Sequence, residues 1–176
     1  MDNKEQKSLS QIIEYRIKKI DELKNNNINP YPYKFNKEFD ISYILNHEKD
    51  LAEQKISTAG RIVSLRSMGK ASFMNIQDEF DKIQLYLKND LIGIDVYNKI
   101  AKNLDIGDII GIEGILFRTK TNQLSLKVSS LTLLSKSIRP LPNIKEKDDH
   151  TFFSFDDKEN RYRYRHLDLI VNPKNK

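Results

Sequence analysis

Cysteine is absent from the chain. That excludes a disulfide framework, a thiol nucleophile and a zinc–thiolate site together. Histidine is scarce: His47, His150 and His166 stand far apart, in no metal-binding spacing. No apolar run approaches the roughly 20 residues that a membrane-spanning helix needs. The opening MDNKEQKSLS is polar and of mixed charge, unlike a secretory signal. Motifs for chemistry are missing too. GIEG at 111–114 is followed by no lysine and hydroxyl residue in phosphate-loop spacing. There is no Ser/His/Asp order, no ATP signature and no pair of acids placed for catalysis. The residues therefore give no catalytic site and no metal site.

What is present is a polar chain with material for one modest core: 38% hydrophobic and 31% charged residues over 176 positions. That length suits one compact domain with extensions. The net charge of +5 is compatible with a nucleic-acid partner. However, 22 Lys against 8 Arg, 22 Ile against 4 Val and 16 Asn follow A/T-rich codons and point to an A/T-rich genome. The placement of charge therefore carries more weight than its total.

Residues 8–24, SLSQIIEYRIKKIDELK, space Leu9, Ile12, Ile13, Ile17, Ile20 and Leu23 as one helical stripe, with Ser8 and Gln11 fitting a capping box. NNN at 25–27 stops the helix, and NPYPYKF breaks regular structure. A short helix capped by Asp40 is expected over 41–53. Strands are expected at 57–67, 71–77, 82–88, 108–118 and about 123–134, with a helix over 91–104 whose start Gly93 weakens. The two glycines of the fourth strand suggest a bulge or bend. Beyond 137 come an extended RPLPN, a charged loop KEKDDH and a helix from DDKENRYRYRHLDLIVNP led by acids.

Five short strands with a helix between the third and fourth is the order of an OB-fold, a small Greek-key barrel that binds oligonucleotides. Another small barrel or an open α+β sheet remains open on pattern alone. The expected class is mainly β with flanking helices: a five-stranded OB-fold Greek-key β-barrel preceded by an N-terminal amphipathic helix. The expected division is a helical extension at 1–55, the barrel at 56–137, and a linker and hinge segment at 138–176.

Strand two raises a question. Met74 and Ile76 share one face, so Phe73, Asn75 and Gln77 share the other. A hairpin that pairs Gln77 with Lys82 keeps Ile83 and Leu85 on the core side and sets Asn75 opposite Gln84 and Phe73 opposite Tyr86. An aromatic ring stacks on any base, and an amide both donates and accepts at a base edge. Arg66 and Lys70 on the adjoining loop would hold phosphates. Phe73 and Gln84 are thus candidate readers of single-stranded RNA, with Arg66 beside them and Lys70, Asn75 and Tyr86 as further candidate RNA contacts. Competing readings are a ring packed under a helix or loop, a strand binder without sequence preference, and a protein-docking face. Tyr31 and Tyr33 read as staples to the barrel, and His47 as a solvated helix residue. The arginines of RYRYRH read equally as an RNA stripe or as packing between domains.

NPYPYKF, AGRIVSLRSMGKASFMNIQD, KIQLYL, GDIIGIEGILFRTKTNQLSL, RPLPN and RYRYRHLDLIVNP resemble, in that order, the N-terminal part of class II lysyl-tRNA synthetases, from about residue 10 to 173. The aspartyl and asparaginyl enzymes carry a similar RYR…LDL segment, while MGKASF and DLIVNP favour the lysine enzymes. The resemblance implies an OB-fold that binds the tRNA anticodon. Phe73 would stack on the central anticodon base, Gln84 would hydrogen-bond an anticodon base, and Arg66 would support the same loop. It also implicates Gln123, where the family usually has a Glu that reads the third base. A neutral bond would there replace a charge-assisted one about twice as strong. Other departures are TFFSFDD in place of a His-Gly pair, Asp81 for a turn glycine, and Tyr164 and His166 for Gln and Tyr.

The implied partner is tRNA for lysine, with no membrane and a cytoplasmic location. No cofactor is implied for this chain. ATP and magnesium belong to the catalytic domain of the full-length parent, which is implied to be a homodimer. The chain itself, an excised fragment or a natural truncation, is expected to be monomeric and to bind tRNA without aminoacylating it.

Overall fold

The computed structural model describes residues 8–142 and 157–172, together with the backbone of 144–147 and 150–153. The chain divides into two compact units, Met1–Ile138 and Arg139–Lys176.

The first unit begins with α1, Leu9–Asn25. Its capping box forms as expected: the Gln11 N–H donates to the Ser8 hydroxyl oxygen, and the Ser8 N–H donates to the Gln11 amide oxygen. The buried face, however, only partly coincides with the apolar stripe. Leu9 and Ile17 are 54% and 42% exposed, while Arg16 and Lys19 are buried beside Ile20 and Leu23. Arg16 donates to the carbonyls of Ile106 and Ser137, and Lys19 reaches Asp105 at 2.7 Å. Long cationic side chains pack their stems and satisfy their heads on a polar rim, which hydrophobic periodicity does not register.

The short helix expected over 41–53 is only α2, Ile41–Asn46, although Leu51 beyond it still enters the core. Asp40 occupies the N-cap position, but its side chain does not bond the free amides of the helix. Asp78, from the turn between strands two and three, does so instead, accepting from the Ile41 N–H at 2.8 Å and from the N–H groups of Phe80 and Asp81. Burial pushes the Asp78 carboxyl up, but those three amides and Lys37 outweigh it and hold it below the ordinary value of 3.8. A depressed carboxyl contributes stability above the unfolded-state value and loses it as pH falls through the folded-state value. In thermal melts, the gap between the wild-type protein and Asp78→Asn should therefore be constant from pH 7 to about pH 4 and close only below it. A gap unchanged to pH 2 would contradict this account.

Five strands follow: β1 Ile56–Met68, β2 Ala71–Gln77, β3 Lys82–Lys88, β4 Ile109–Arg118 and β5 Leu124–Ser135. They close in the order β1-β2-β3-β5-β4, with β4 returning to β1. All neighbours are antiparallel except β3 and β5, which run parallel. The barrel interior holds Ile62, Met74, Ile76, Ile83, Leu85, Leu87, Ile110, Ile112, Leu126 and Val128, all essentially inaccessible. The bulge expected from the glycines lies at Glu113/Gly114. There a Cβ on Gly114 would come within 2.5 Å of the Lys127 carbonyl oxygen, so only glycine lets the two strands approach.

The helix expected over 91–104 is broken into α3 (Asn89–Ile92), α4 (Ile94–Lys99) and a 3-10 turn at Ala101–Asn103. Gly93, at φ +88°, stands outside the helical region and divides them. The segment nonetheless gives Ile92, Tyr97, Ala101 and Leu104 to the barrel core.

In the second unit, the stretch read as a charged loop is a small antiparallel ribbon. β6 (Ile144–Lys147) pairs with β7 (His150–Phe153) from Ile144↔Phe153 to Lys147↔His150. The single helix expected next is two: α5, Lys158–Arg163, capped by Asp157, and α6, Arg165–Val171. Asp168, fully buried, accepts from Arg161, Arg165 and Asn172. Two arginines of the RYRYRH run therefore point to an internal acid, and Arg163 pairs with Glu159 at the surface. Pro173 lies outside the described residues.

Candidate nucleic-acid interface

The hairpin register is Phe73↔Tyr86, Asn75↔Gln84 and Gln77↔Lys82, the pairing expected from keeping apolar residues on one face. The two neighbouring strands extend these rows. Arg66 stands opposite Phe73, and Lys127 of β5 opposite Tyr86. Ser64 is next to Asn75 in the β1–β2 ladder, and Ser125 is opposite Gln84, with Phe117 beyond it on β4. The outer face of the barrel thus carries an aromatic and cationic row beside a row of amides and hydroxyls.

The aromatic part is a cluster. The Phe73 and Tyr86 rings lie 5.0 Å apart and inclined by 40°, and Tyr86 lies 5.9 Å from Phe117. All three are half-buried, each keeping part of its surface open to solvent. Phe73 is therefore only partly covered. It leans on a second ring that holds its tilt, an arrangement that favours stacking with a further flat group.

The polar row is hydrogen-bonded in a way that leaves groups on offer. Asn75 donates to Ser64 at 2.8 Å, and its amide oxygen has no donor among the described residues. Ser125 donates to the Gln84 amide oxygen at 2.9 Å, and its hydroxyl also lies 3.3 Å from the Gln123 carbonyl. Gln123 sits at the end of the β4–β5 turn. Its N–H donates to the Thr119 hydroxyl and its side-chain nitrogen donates to the Leu124 carbonyl. That turn is clamped by Arg118, which donates to the Asn122 carbonyl and pairs with Glu48. Ser125 thus places Gln84 and Gln123, distant in sequence, on one stretch of surface.

Charge on the face is of one sign. Arg66, Lys70 and Lys127 are exposed and have no acidic partner among the described residues. The loop carrying Lys70 is pinned by the Tyr97 hydroxyl, which donates to the Gly69 carbonyl, and by the Asn89 N–H on the Lys70 carbonyl. Strands two and three, with the β1–β2 and β4–β5 loops, are where barrels of this fold bind oligonucleotides. No group of three His, Asp or Glu among the described residues is placed to hold a metal ion.

All seven candidates from the sequence lie on this face or its two bordering loops. Phe117, Ser125 and Lys127 escaped sequence reasoning. The parity count that exposed Phe73 applies equally to β4 and β5, but it locates those residues only once β5 is known to lie parallel to β3. The tyrosines divide: Tyr31 staples its segment by donating to the Lys136 carbonyl, whereas Tyr33 is fully exposed and staples nothing. His47 ends α2, stacked on Tyr43 at 4.0 Å.

A closed five-stranded barrel with an aromatic, amide-bearing and cationic outer face defines a nucleic-acid-binding domain, and residues 56–134 match the tRNA anticodon family of OB-fold nucleic acid binding domains. Residues 56–134 are thus similar to that family, and most of the chain is similar to lysine–tRNA ligases. It is 46% identical over 165 residues to the lysine–tRNA ligase of Azobacteroides pseudotrichonymphae, covering 90% of this chain and 33% of that protein. It is 45% identical to the enzyme of Porphyromonas gingivalis, over 89% of this chain and 29% of the relative, and 45% identical to that of Fusobacterium nucleatum, over 92% and 31%. The chain thus spans about a third of the length of the curated relatives it matches.

Proposed function

We propose that this chain is the tRNA-recognition part of a lysine–tRNA ligase, and that its barrel face binds the anticodon of tRNA for lysine. The observation that carries the reading is Phe73, partly open on the outer face beside Gln84, flanked by cations that have no acidic partner among the described residues. Phe73 stacks on the central anticodon base, Gln84 reads the edge of an anticodon base, and Arg66 and Lys70 take phosphates. Asn75 and Tyr86 line the same track. Gln123 meets the third base with a neutral hydrogen bond. Lysine attachment, with ATP and magnesium, is an activity of the whole protein, as are its dimeric state and cytoplasmic location. This stretch by itself binds tRNA as a monomer and does not aminoacylate. No described helix is long and apolar enough to cross a membrane.

Titrating RNA hairpins with a lysine anticodon loop against hairpins with scrambled loops tests the reading. Tighter binding of the lysine loop is expected. Equal affinities would mean a strand binder without sequence preference, and lysine-dependent pyrophosphate exchange by this chain would overturn its assignment as recognition only.

A further inference from the structure

We propose that Ser125 is a positioning residue that locks the Gln84 amide so that its nitrogen faces the RNA, making the face selective for a keto base over an amino base. The inference rests on the anticodon reading above and goes beyond it to the chemistry of discrimination.

An amide side chain has two nearly isosteric ends, one accepting and one donating. A glutamine free to turn over offers either end to a base and distinguishes little. Gln84 is not free. The Ser125 hydroxyl lies 2.9 Å from its amide oxygen, on the adjacent parallel strand and directly opposite in register. Ser125 itself is fully buried, so its position is set by the barrel rather than by solvent.

The hydroxyl has a single proton and a second acceptor within reach, the Gln123 carbonyl at 3.3 Å. That carbonyl already accepts from the Thr119 N–H at 3.0 Å. The proton therefore goes to the shorter contact, and the Gln84 oxygen is occupied from within. What remains for a ligand is the amide nitrogen, for which the described residues provide no acceptor. A donor fixed in place pairs with the 4-keto oxygen of uracil and meets another donor in the 4-amino group of cytosine.

Hairpins with three uracils in the anticodon and the three single cytosine substitutions provide the probe, with melting temperature as the folding control. The wild-type chain should prefer uracil by about ten-fold at the one position whose preference Gln84→Ala abolishes. Ser125→Ala should reduce that preference below about three-fold, mainly by improving binding of the cytosine hairpin, and Ser125→Thr should restore it. A serine that merely supports the barrel would weaken both hairpins alike and leave the ratio intact, which would overturn the proposal. If Ser125→Ala does not fold, Gln84→Glu keeps the serine bond and turns the outward donor into an acceptor. Its preference should move toward cytosine, and an unchanged uracil preference would equally overturn the lock. A wild-type preference for cytosine would mean that the amide faces the other way. A wild-type chain indifferent to the loop, with no loss in Phe73→Ala, would instead remove the anticodon reading itself.

Discussion

Phe73→Ala should weaken binding of the lysine-anticodon hairpin by about 1–3 kcal/mol, roughly 5- to 150-fold in Kd, while leaving the melting temperature nearly unchanged. The two halves of that expectation have separate causes. The loss comes from a stacking surface that is already oriented. Tyr86 props the ring at 5.0 Å, and Phe117 stands behind Tyr86, so little side-chain freedom remains to be lost when a base arrives. The indifference of stability comes from position. Phe73 alternates with Met74 and Ile76, which carry the core contacts, and projects from the outer surface. Fluorescence titration of the two proteins with the same hairpin, beside melts of both, measures the effect. Unchanged affinity with the fold intact would turn attention to a protein partner for this face.

Lys136→Met should destabilise the first unit by about 3–5 kcal/mol near neutral pH. The lysine is completely enclosed and contacts two acids at once, Asp105 and the fully buried Asp108. Asp105 is shared with Lys19 of α1, so the network ties the helix to the barrel. Removing the central cation takes the ion-pair partner from buried Asp108 and leaves Asp105 with Lys19. Burial already pushes Asp108 up despite Lys136 and the amides of Asp105 and Ser137, and without the lysine it rises further. A carboxyl with a raised folded-state value destabilises fully above that value and not at all below its unfolded-state value. The deficit of the variant should therefore shrink as pH is lowered towards about 4. Urea unfolding of both proteins at pH 7 and pH 4.5 checks this. A deficit under about 1 kcal/mol at pH 7 would mean that the network is dispensable.

The parts of the molecule legible in the sequence are those governed by local rules. The Ser8–Gln11 box depends on residues three apart. The β2–β3 register follows from putting Met74, Ile76, Ile83 and Leu85 on one side, because a slip of one residue would bury the amides. Where reading failed, a long-range partner had intervened. Asp78 took the capping role assigned to Asp40, and Asp105 drew the cationic side of α1 inward. Asp168 gathered Arg161 and Arg165.

By itself, the sequence determined the five strands, the face on which Phe73 and Gln84 lie, and a resemblance to lysyl-tRNA synthetases. Those depend on alternation and on short motifs, both encoded within a few residues. Only the tertiary structure decided that β5 runs parallel beside β3, which brings Ser125 against Gln84, Gln123 onto the same stretch of surface and Phe117 against Tyr86. The physical reason is closure of the barrel. A parallel pairing between strands 35 or more residues apart leaves no local trace in either strand, yet it determines which atom of the Gln84 amide is left for a ligand.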